Sequence, residues 1–225
     1  KIEAYPTVEK PESVEFLITM NPRKEVFNQF PNVKIIQSFG AGVDRILAAN
    51  VLKDGMTLAR IVDPNLTEDM FEFVLTSILA QMKQLPTYIN QQKKTLWKEQ
   101  NYRRIKDTTI SILGLGKIGG SVAMKLAALG FMVKGWSNST KKLAGVKCFV
   151  GIENLGNCLS KTDFLVNLLP STPATFQILN RENLQFLPKN AFLINVGRGS
   201  HMHEADLLHL LDHDHLSGVL LDVFN

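Results

Sequence analysis

Cysteine is nearly absent from this chain. Its 225 residues hold two, Cys148 and Cys158. That excludes a disulfide-built scaffold and any zinc site made mainly of thiolates. With no signal peptide in view, a reduced, cytoplasmic setting is expected. Long apolar runs are missing too, so no membrane span is expected. Neither sign of charge is concentrated: 25 Lys and Arg against 21 Asp and Glu give a net charge of +4. The basic residues are scattered and form no tract that would grip nucleic acid. No internal repeat and no low-complexity segment is visible.

What is present centres on Thr109 to Ser121, T-I-S-I-L-G-L-G-K-I-G-G-S. A β-branched, apolar run feeds into Gly114-Leu-Gly116-Lys117-Ile118-Gly119. A helical apolar pattern follows through Val122, Ala123, Leu126 and Leu129, ending at Gly130. Strand, glycine loop and helix in this order form the dinucleotide-binding βαβ unit. Gly114 permits the tight turn out of the strand. Gly116 lets the backbone approach a pyrophosphate, and Gly119 lets the helix lie close on the sheet. The helix N-terminus offers unpaired N–H groups to the phosphates.

A further absence selects the coenzyme. An NAD site places a carboxylate about 20 residues past the loop, on the ribose 2′-hydroxyl. Here the strand Phe131 to Trp136 runs into Ser137-Asn138-Ser139-Thr140-Lys141-Lys142, with no Asp or Glu. Nothing there repels a 2′-phosphate, while hydroxyls, an amide and two ammonium groups can receive one. NADP(H) is expected over NAD(H).

The first 66 residues read as a small α/β unit. Val14 to Thr19, Val33 to Ser38 and Leu58 to Val62 are strand patterns. Asn21-Pro22 is read as the break after the first, and Val26, Phe27 and Phe30 as a short helix. Gly40-Ala41-Gly42 leaves the second strand and exposes backbone amides where open α/β sheets bind ligands. This unit reads as incomplete. Lys1 begins in mid-stream and Asn225 closely follows a strong strand, so both ends read as cut. Thr67 is the expected N-cap of a helix, with Glu68 and Asp69 in its first turn. Met70, Phe71, Val74, Leu75, Ile78, Leu79 and Met82 give it a wide apolar stripe. That stripe is buried either in the cofactor domain or at a subunit interface. Residues 83 to 106 read as an exposed helical arm.

Beyond the nucleotide unit, strands are expected at Asp163–Leu169, Ala191–Val196 and Ser217–Phe224. Helices are expected at 152–159, 183–187 and 204–213. Five strands alternating with helices from residue 110 imply a Rossmann-type, doubly wound parallel sheet. The domains are therefore 1–66, a smaller flavodoxin-like substrate domain, and 67–225, the dinucleotide-binding domain with its arm at 67–106.

Six segments in order carry a resemblance: S-F-G-A-G-V-D at 38–44, G-L-G-K-I-G at 114–119, G-W-S-N-S at 135–139, N-L-L-P-S-T-P-A-T at 167–175, N-V-G-R-G at 195–199 and L-D-V-F-N at 221–225. Over nearly its whole length the chain resembles the D-isomer-specific 2-hydroxyacid dehydrogenase family. Within it, the chain is most similar to the glyoxylate/hydroxypyruvate reductase A branch. The resemblance implies NADPH-preferring reduction of a small 2-keto acid, with NAD as the other possible coenzyme. Arg198 is then the catalytic arginine, binding the substrate carboxylate and polarising the keto oxygen. The backbone at Ala41 and Gly42 holds the other side of that carboxylate. Gly114, Gly116, Lys117, Ile118, Gly119, Ser137, Asn138, Ser139 and Lys141 hold the cofactor. Leu169, Pro170 and Thr172 line its adenosine side. Val196, Gly197 and Arg198 also touch the cofactor, and Asp222 accepts from the nicotinamide carboxamide. A homodimer built through the arm is implied as well.

Two departures stand out. The family's acid histidine and its supporting glutamate lie beyond the L-D-V-F-N segment, and this chain ends before them. His201 and His203 follow Arg198 too closely to replace that acid. His209, His213 and His215 lack the carboxylate or cysteine that would complete a metal site. Second, the branch carries an arginine where this chain has Asn138. Two other readings share the scaffold: an NAD-dependent D-2-hydroxyacid dehydrogenase for a larger substrate, and a non-catalytic NAD(P) sensor.

Overall fold

The structure is a computed structural model and describes residues 1–20 and 23–225. The expected break at Asn21-Pro22 lies outside the described residues. The chain divides into two compact units, Lys1–Pro64 and Asn65–Asn225.

The first unit holds a three-stranded parallel sheet, β1 (Phe16–Thr19), β2 (Ile35–Ser38) and β3 (Thr57–Arg60), in that spatial order. Parallel strands need crossovers. These carry the short helices α1 (Lys24–Phe27) and α2 (Asp44–Ala48). Phe27, Phe30, Val33, Ile36, Ile46 and Val51 close its small core.

The second unit opens with α3 (Pro64–Met82) and α4 (Leu85–Lys93). Thr67 is not the N-cap expected for α3, because the helix begins three residues earlier, at Pro64. Proline fits a first helical position, where no N–H is needed and its fixed φ is already helical. One face of α3, Val74, Ile78 and Met82, is buried against the sheet core of its own unit, with Met70, Phe71, Leu75 and Leu79 packed around it. Of the two burial sites open to the stripe, the cofactor unit takes this face. Residues 83 to 106 contain α4 and then mostly irregular chain, largely exposed. The arm is tethered where the Gln100 amide donates to the Tyr88 hydroxyl at 3.0 Å and the Lys83 ammonium lies 4.2 Å from the Tyr102 ring centroid.

Six parallel strands follow: β4 (Thr109–Leu113), β5 (Met132–Ser137), β6 (Val146–Val150), β7 (Phe164–Asn167), β8 (Ala191–Asn195) and β9 (Leu216–Leu221). Between them run α5 (Lys117–Ala128), α6 (Leu155–Leu159), α7 (Arg181–Leu184) and α8 (Glu204–Asp212). The spatial order β6-β5-β4-β7-β8-β9 places β4 where the direction of winding reverses. β6 is one strand more than the sequence reading finds. The last short helix starts at Arg181, ahead of the expected Asn183, because the Asn180 side chain caps it by accepting from the Asn183 amide.

β4, β7 and β8 are buried along their whole length, as strands covered on both faces must be. Ile110, Ile112, Val133, Val166 and Ile194 face the α3 and α5 side. Leu113, Trp136, Leu165 and Leu193 face the α6, α7 and α8 side. Ser111, between those layers, bonds the Cys158 carbonyl at 2.9 Å and the Thr162 hydroxyl at 2.7 Å. Burial pushes the Cys158 thiol up to about 11, so it stays protonated at neutral pH. Among the described residues, no helix is long and apolar enough to cross a membrane.

Candidate active site

The candidate residues of the second unit gather at the carboxyl ends of its strands. β4 ends in the glycine loop and β5 ends in Ser137. β7 runs into Leu168–Pro170, β8 into Val196–Arg198 and β9 into Asp222. In an open α/β sheet, the crevice outside these ends, at the reversal of strand order, is where ligands bind.

The three motif glycines do different work. Gly114 has φ +100°, and a Cβ there would meet the Leu168 carbonyl oxygen at 2.7 Å. Its turn is therefore closed against the chain leaving β7. A Cβ on Gly119 would stand 1.9 Å from the Gly114 carbonyl oxygen, so α5 can lie this close only without one. Gly116 differs, since a Cβ there would touch nothing within 4 Å. No packing demand of the protein explains this exposed glycine. Open space at the N-terminus of α5 fits a pyrophosphate. Gly116 is the N-cap of α5, and Lys117 and Ile118 form its first turn. The loop thus leaves room for a phosphate at the start of α5.

At the end of β5 the Ser137 hydroxyl donates to the Ser139 carbonyl at 2.7 Å and shapes the turn. Asn138, Ser139, Lys141 and Lys142 are exposed around it. Pro170 and Thr172 are exposed, while Leu169 is buried. The Thr175 hydroxyl donates to the Pro170 carbonyl at 2.7 Å and holds this loop.

Arg198 is half-buried, just past β8. Its Nη1 donates to the Gly197 carbonyl at 2.7 Å. Gly197 itself is buried, and a Cβ on it would meet Asn167 Nδ2 at 2.9 Å and His201 Nδ1 at 3.1 Å. Asp222 is exposed at the end of β9, and its amide donates to the Asn195 carbonyl at 3.1 Å. In the first unit, Arg60 donates to the Ala41 carbonyl at 3.0 Å and Ser38 to the Gly42 carbonyl at 2.8 Å. In a trans peptide the N–H points opposite its carbonyl. The Gly42 amide is therefore turned away from Arg60.

The histidines have local structural roles. His201 is fully buried. His203 is the N-cap of α8, its side chain accepting from the Asp206 amide. The rings of His209 and His213 lie 3.9 Å apart between centroids, and His215 Nε2 lies 3.3 Å from the Leu184 carbonyl. Among the described residues no group of three or more His, Cys, Asp or Glu could hold a metal.

The sequence reading misses Asn167, Asn195 and His201, which join the β7 and β8 ends. All three are fully buried. Asn167 and Asn195 signal themselves only as polar ends of apolar strands, and His201, in the turn after Arg198, carries no such signal.

Strand order, glycine loop and a helix N-terminus at the crevice are the features of a dinucleotide-binding α/β protein. The model of the D-isomer specific 2-hydroxyacid dehydrogenase family, NAD binding domain, matches residues 75–225. The chain is 36% identical over 215 residues to glyoxylate/hydroxypyruvate reductase A of Yersinia enterocolitica, covering 93% of this chain and 69% of that protein. It superposes with a TM-score of 0.91 on a D-isomer specific 2-hydroxyacid dehydrogenase of Xanthobacter autotrophicus Py2 solved with NADPH and MES. That match is 38% identical and covers 96% of this chain and 68% of the other. An NADPH-dependent glyoxylate/hydroxypyruvate reductase of Sinorhizobium meliloti, solved with NADP and sulfate, gives a TM-score of 0.91 at 36% identity. It covers 97% of this chain and 70% of that one. The chain belongs to the D-isomer specific 2-hydroxyacid dehydrogenase family.

Proposed function

We propose that this protein is an NADPH-preferring reductase of small 2-keto acids, converting glyoxylate to glycolate and hydroxypyruvate to glycerate. The observation that carries the reading is an open glycine loop at the reversal of strand order, with Arg198 past the end of β8, two strands away, and no carboxylate after β5. Residues 1–66 are the substrate domain and 67–225 the cofactor domain.

Gly114, Gly116, Lys117, Ile118 and Gly119 hold the pyrophosphate, and Ser137, Asn138, Ser139 and Lys141 hold the 2′-phosphate ribose. Leu169, Pro170 and Thr172 face the adenosine, and Val196, Gly197 and Arg198 approach the nicotinamide half. When bound, NADPH would supply the hydride for the keto carbon, and the alkoxide oxygen would take its proton from a general acid, in the family a histidine. The Arg198 guanidinium binds the substrate carboxylate, polarises the keto oxygen and stabilises the negative charge that develops there. The amides at Ala41 and Gly42 hold the carboxylate, their carbonyls being fixed by Arg60 and Ser38. Asp222 accepts from the nicotinamide carboxamide.

The test is NADPH oxidation by the full-length gene product, with NADH in parallel, on addition of glyoxylate or hydroxypyruvate. Turnover favouring NADPH supports the reading. Tight NADPH binding without turnover of either acid overturns it in favour of a sensor. The 2′-phosphate assignment has its own check. Asn138→Asp places a negative charge beside that phosphate and should weaken NADPH by about tenfold, equivalent to about 1.4 kcal/mol. NADH, titrated under the same conditions, should be nearly unaffected.

The protein acts as a cytoplasmic homodimer joined through the arm. In support, the arm leaves Leu85, Tyr88, Ile89, Leu96, Trp97 and Tyr102 exposed, Trp97 completely. Both cysteines are unpaired, in keeping with a reducing compartment. Sedimentation should give twice the monomer mass, and the double substitution Ile89→Glu with Trp97→Glu should give the monomer. A wild-type monomer at micromolar concentration would sink the dimer.

A further inference from the structure

A closed chain of buried hydrogen bonds ties the end of β7 to the end of β8. The Leu169 amide donates to Asn167 Oδ1 at 3.2 Å, which fixes the orientation of that side-chain amide. Asn167 Nδ2 then has two protons to place. One goes to Asn195 Oδ1 at 2.8 Å and the other to His201 Nδ1 at 2.8 Å. The Gly197 amide also donates to Asn195 Oδ1, at 3.1 Å, so Asn195 Nδ2 is the end that donates to the Arg198 carbonyl, at 3.1 Å.

This chain sets the tautomer of His201. Its Nδ1 faces a donor and must accept, so the ring proton sits on Nε2. Nε2 lies 3.2 Å from the Pro170 carbonyl and donates to it. That carbonyl also receives the Thr175 hydroxyl, at 2.7 Å. Both of its lone pairs are thereby used, one from within its own loop and one from the chain that follows Arg198.

We infer that His201 is a positioning residue. As a neutral imidazole it clamps the Pro170 loop to the segment carrying Arg198, setting the cleft that receives the cofactor and the arginine beside it. This role rests on the reading of the site as an NADPH site. Two amide substitutions separate the clamp from simple packing. His201→Gln reaches the Nε2 position with an N–H and keeps the bond to Pro170. His201→Asn keeps an acceptor near the Nδ1 position but falls short of Pro170.

NADPH dissociation constants, measured by coenzyme fluorescence, are compared across the wild type and both variants. His201→Gln should stay within about threefold of the wild type, whereas His201→Asn should bind about tenfold more weakly. With keto acid, His201→Asn should also raise KM more than it lowers kcat, since the arginine is displaced rather than lost. Equal NADPH affinity in the two variants would overturn the clamp, as would a fall in kcat alone with KM and NADPH affinity unchanged. If one variant fails to fold, the comparison passes to Thr175→Val. That change removes the other bond to the Pro170 carbonyl and should weaken NADPH several-fold, while unchanged affinity would count against the clamp. A full-length wild type that binds NADPH but reduces neither acid would sink the reductase reading and leave the clamp judged on coenzyme affinity.

Discussion

Arg198→Ala is expected to lower kcat/KM for glyoxylate by about 10²–10³-fold, a loss of about 3–4 kcal/mol of transition-state stabilisation. NADPH affinity should stay within about threefold. The split follows from where each contact is made. On the proposed reading, the cofactor phosphates are met by the glycine loop and the N-terminus of α5, which follow β4. Arg198 stands past β8, two strands away in the sheet. Its carbonyl accepts from the Asn195 side-chain amide at 3.1 Å, an anchor that truncation keeps. Truncation removes the guanidinium and its bond to the Gly197 carbonyl. Arg198→Lys should recover only part of the loss, because an ammonium is a point charge and cannot fork onto two oxygens in a plane. Steady-state kinetics with coenzyme titration read both quantities. A parallel loss of NADPH affinity would show that Arg198 serves the cofactor and not the keto acid.

The second large effect is expected at Gly119. Alanine there brings a Cβ to 1.9 Å from the Gly114 carbonyl oxygen. No rotamer can relieve a contact between a Cβ and the backbone, so α5 must move off β4 or the loop must open. The gain of about 1 kcal/mol in helix propensity is outweighed by overpacking of about 1–3 kcal/mol or more. Gly119→Ala should lower the melting temperature by several degrees and weaken NADPH by about 10²-fold or more, the phosphate-facing amides being displaced. Gly116→Ala is the control, because its Cβ meets nothing in the protein. Its cost in stability should be no more than about 1 kcal/mol, that of a poorer N-cap, yet NADPH binding should still fall sharply. Thermal melts with and without NADPH distinguish the two. If Gly119→Ala melted like the wild type and bound NADPH normally, the close approach of α5 would carry no functional weight.

The cofactor half of this site is legible in the sequence because its signals are local. Gly114 to Gly119 lies within one turn and one helix start, and the missing carboxylate after β5 is a property of six consecutive residues. The buried strands β7 and β8 announce themselves as near-continuous apolar runs, and β4 as a β-branched run interrupted by Ser111. Strand β6 does not. Val146-Lys-Cys-Phe-Val150 sits at the sheet edge, mostly half-buried, and its lysine is exposed. Four of its five residues are apolar, but one short run with no flanking strand-to-helix signal is passed over in the sequence reading. At α3, Thr67-Glu68-Asp69 imitates a helix start that Pro64 already supplies. The clamp is illegible for another reason. Asn167 lies 28 residues from Asn195 and 34 from His201, so only the folded sheet brings their side chains into one line. From sequence, His201 only stands too close to Arg198 to be the acid. Its burial and its two bonds show what the imidazole is occupied with.

The turn of Gly114 against the Leu168 carbonyl bears on the order in which the molecule is made. β4 pairs with β5 across a short crossover, but its other neighbour, β7, starts 55 residues after the start of β4. Contacts at such separation form late, after the entropy of closing a long loop has been met. A nascent chain therefore carries the complete glycine motif well before it owns the wall that shapes it. Coenzyme cannot assist the earliest folding of this domain. It stabilises by mass action only once β7 has docked, which makes β7 docking the step after which NADPH can protect the newly made protein.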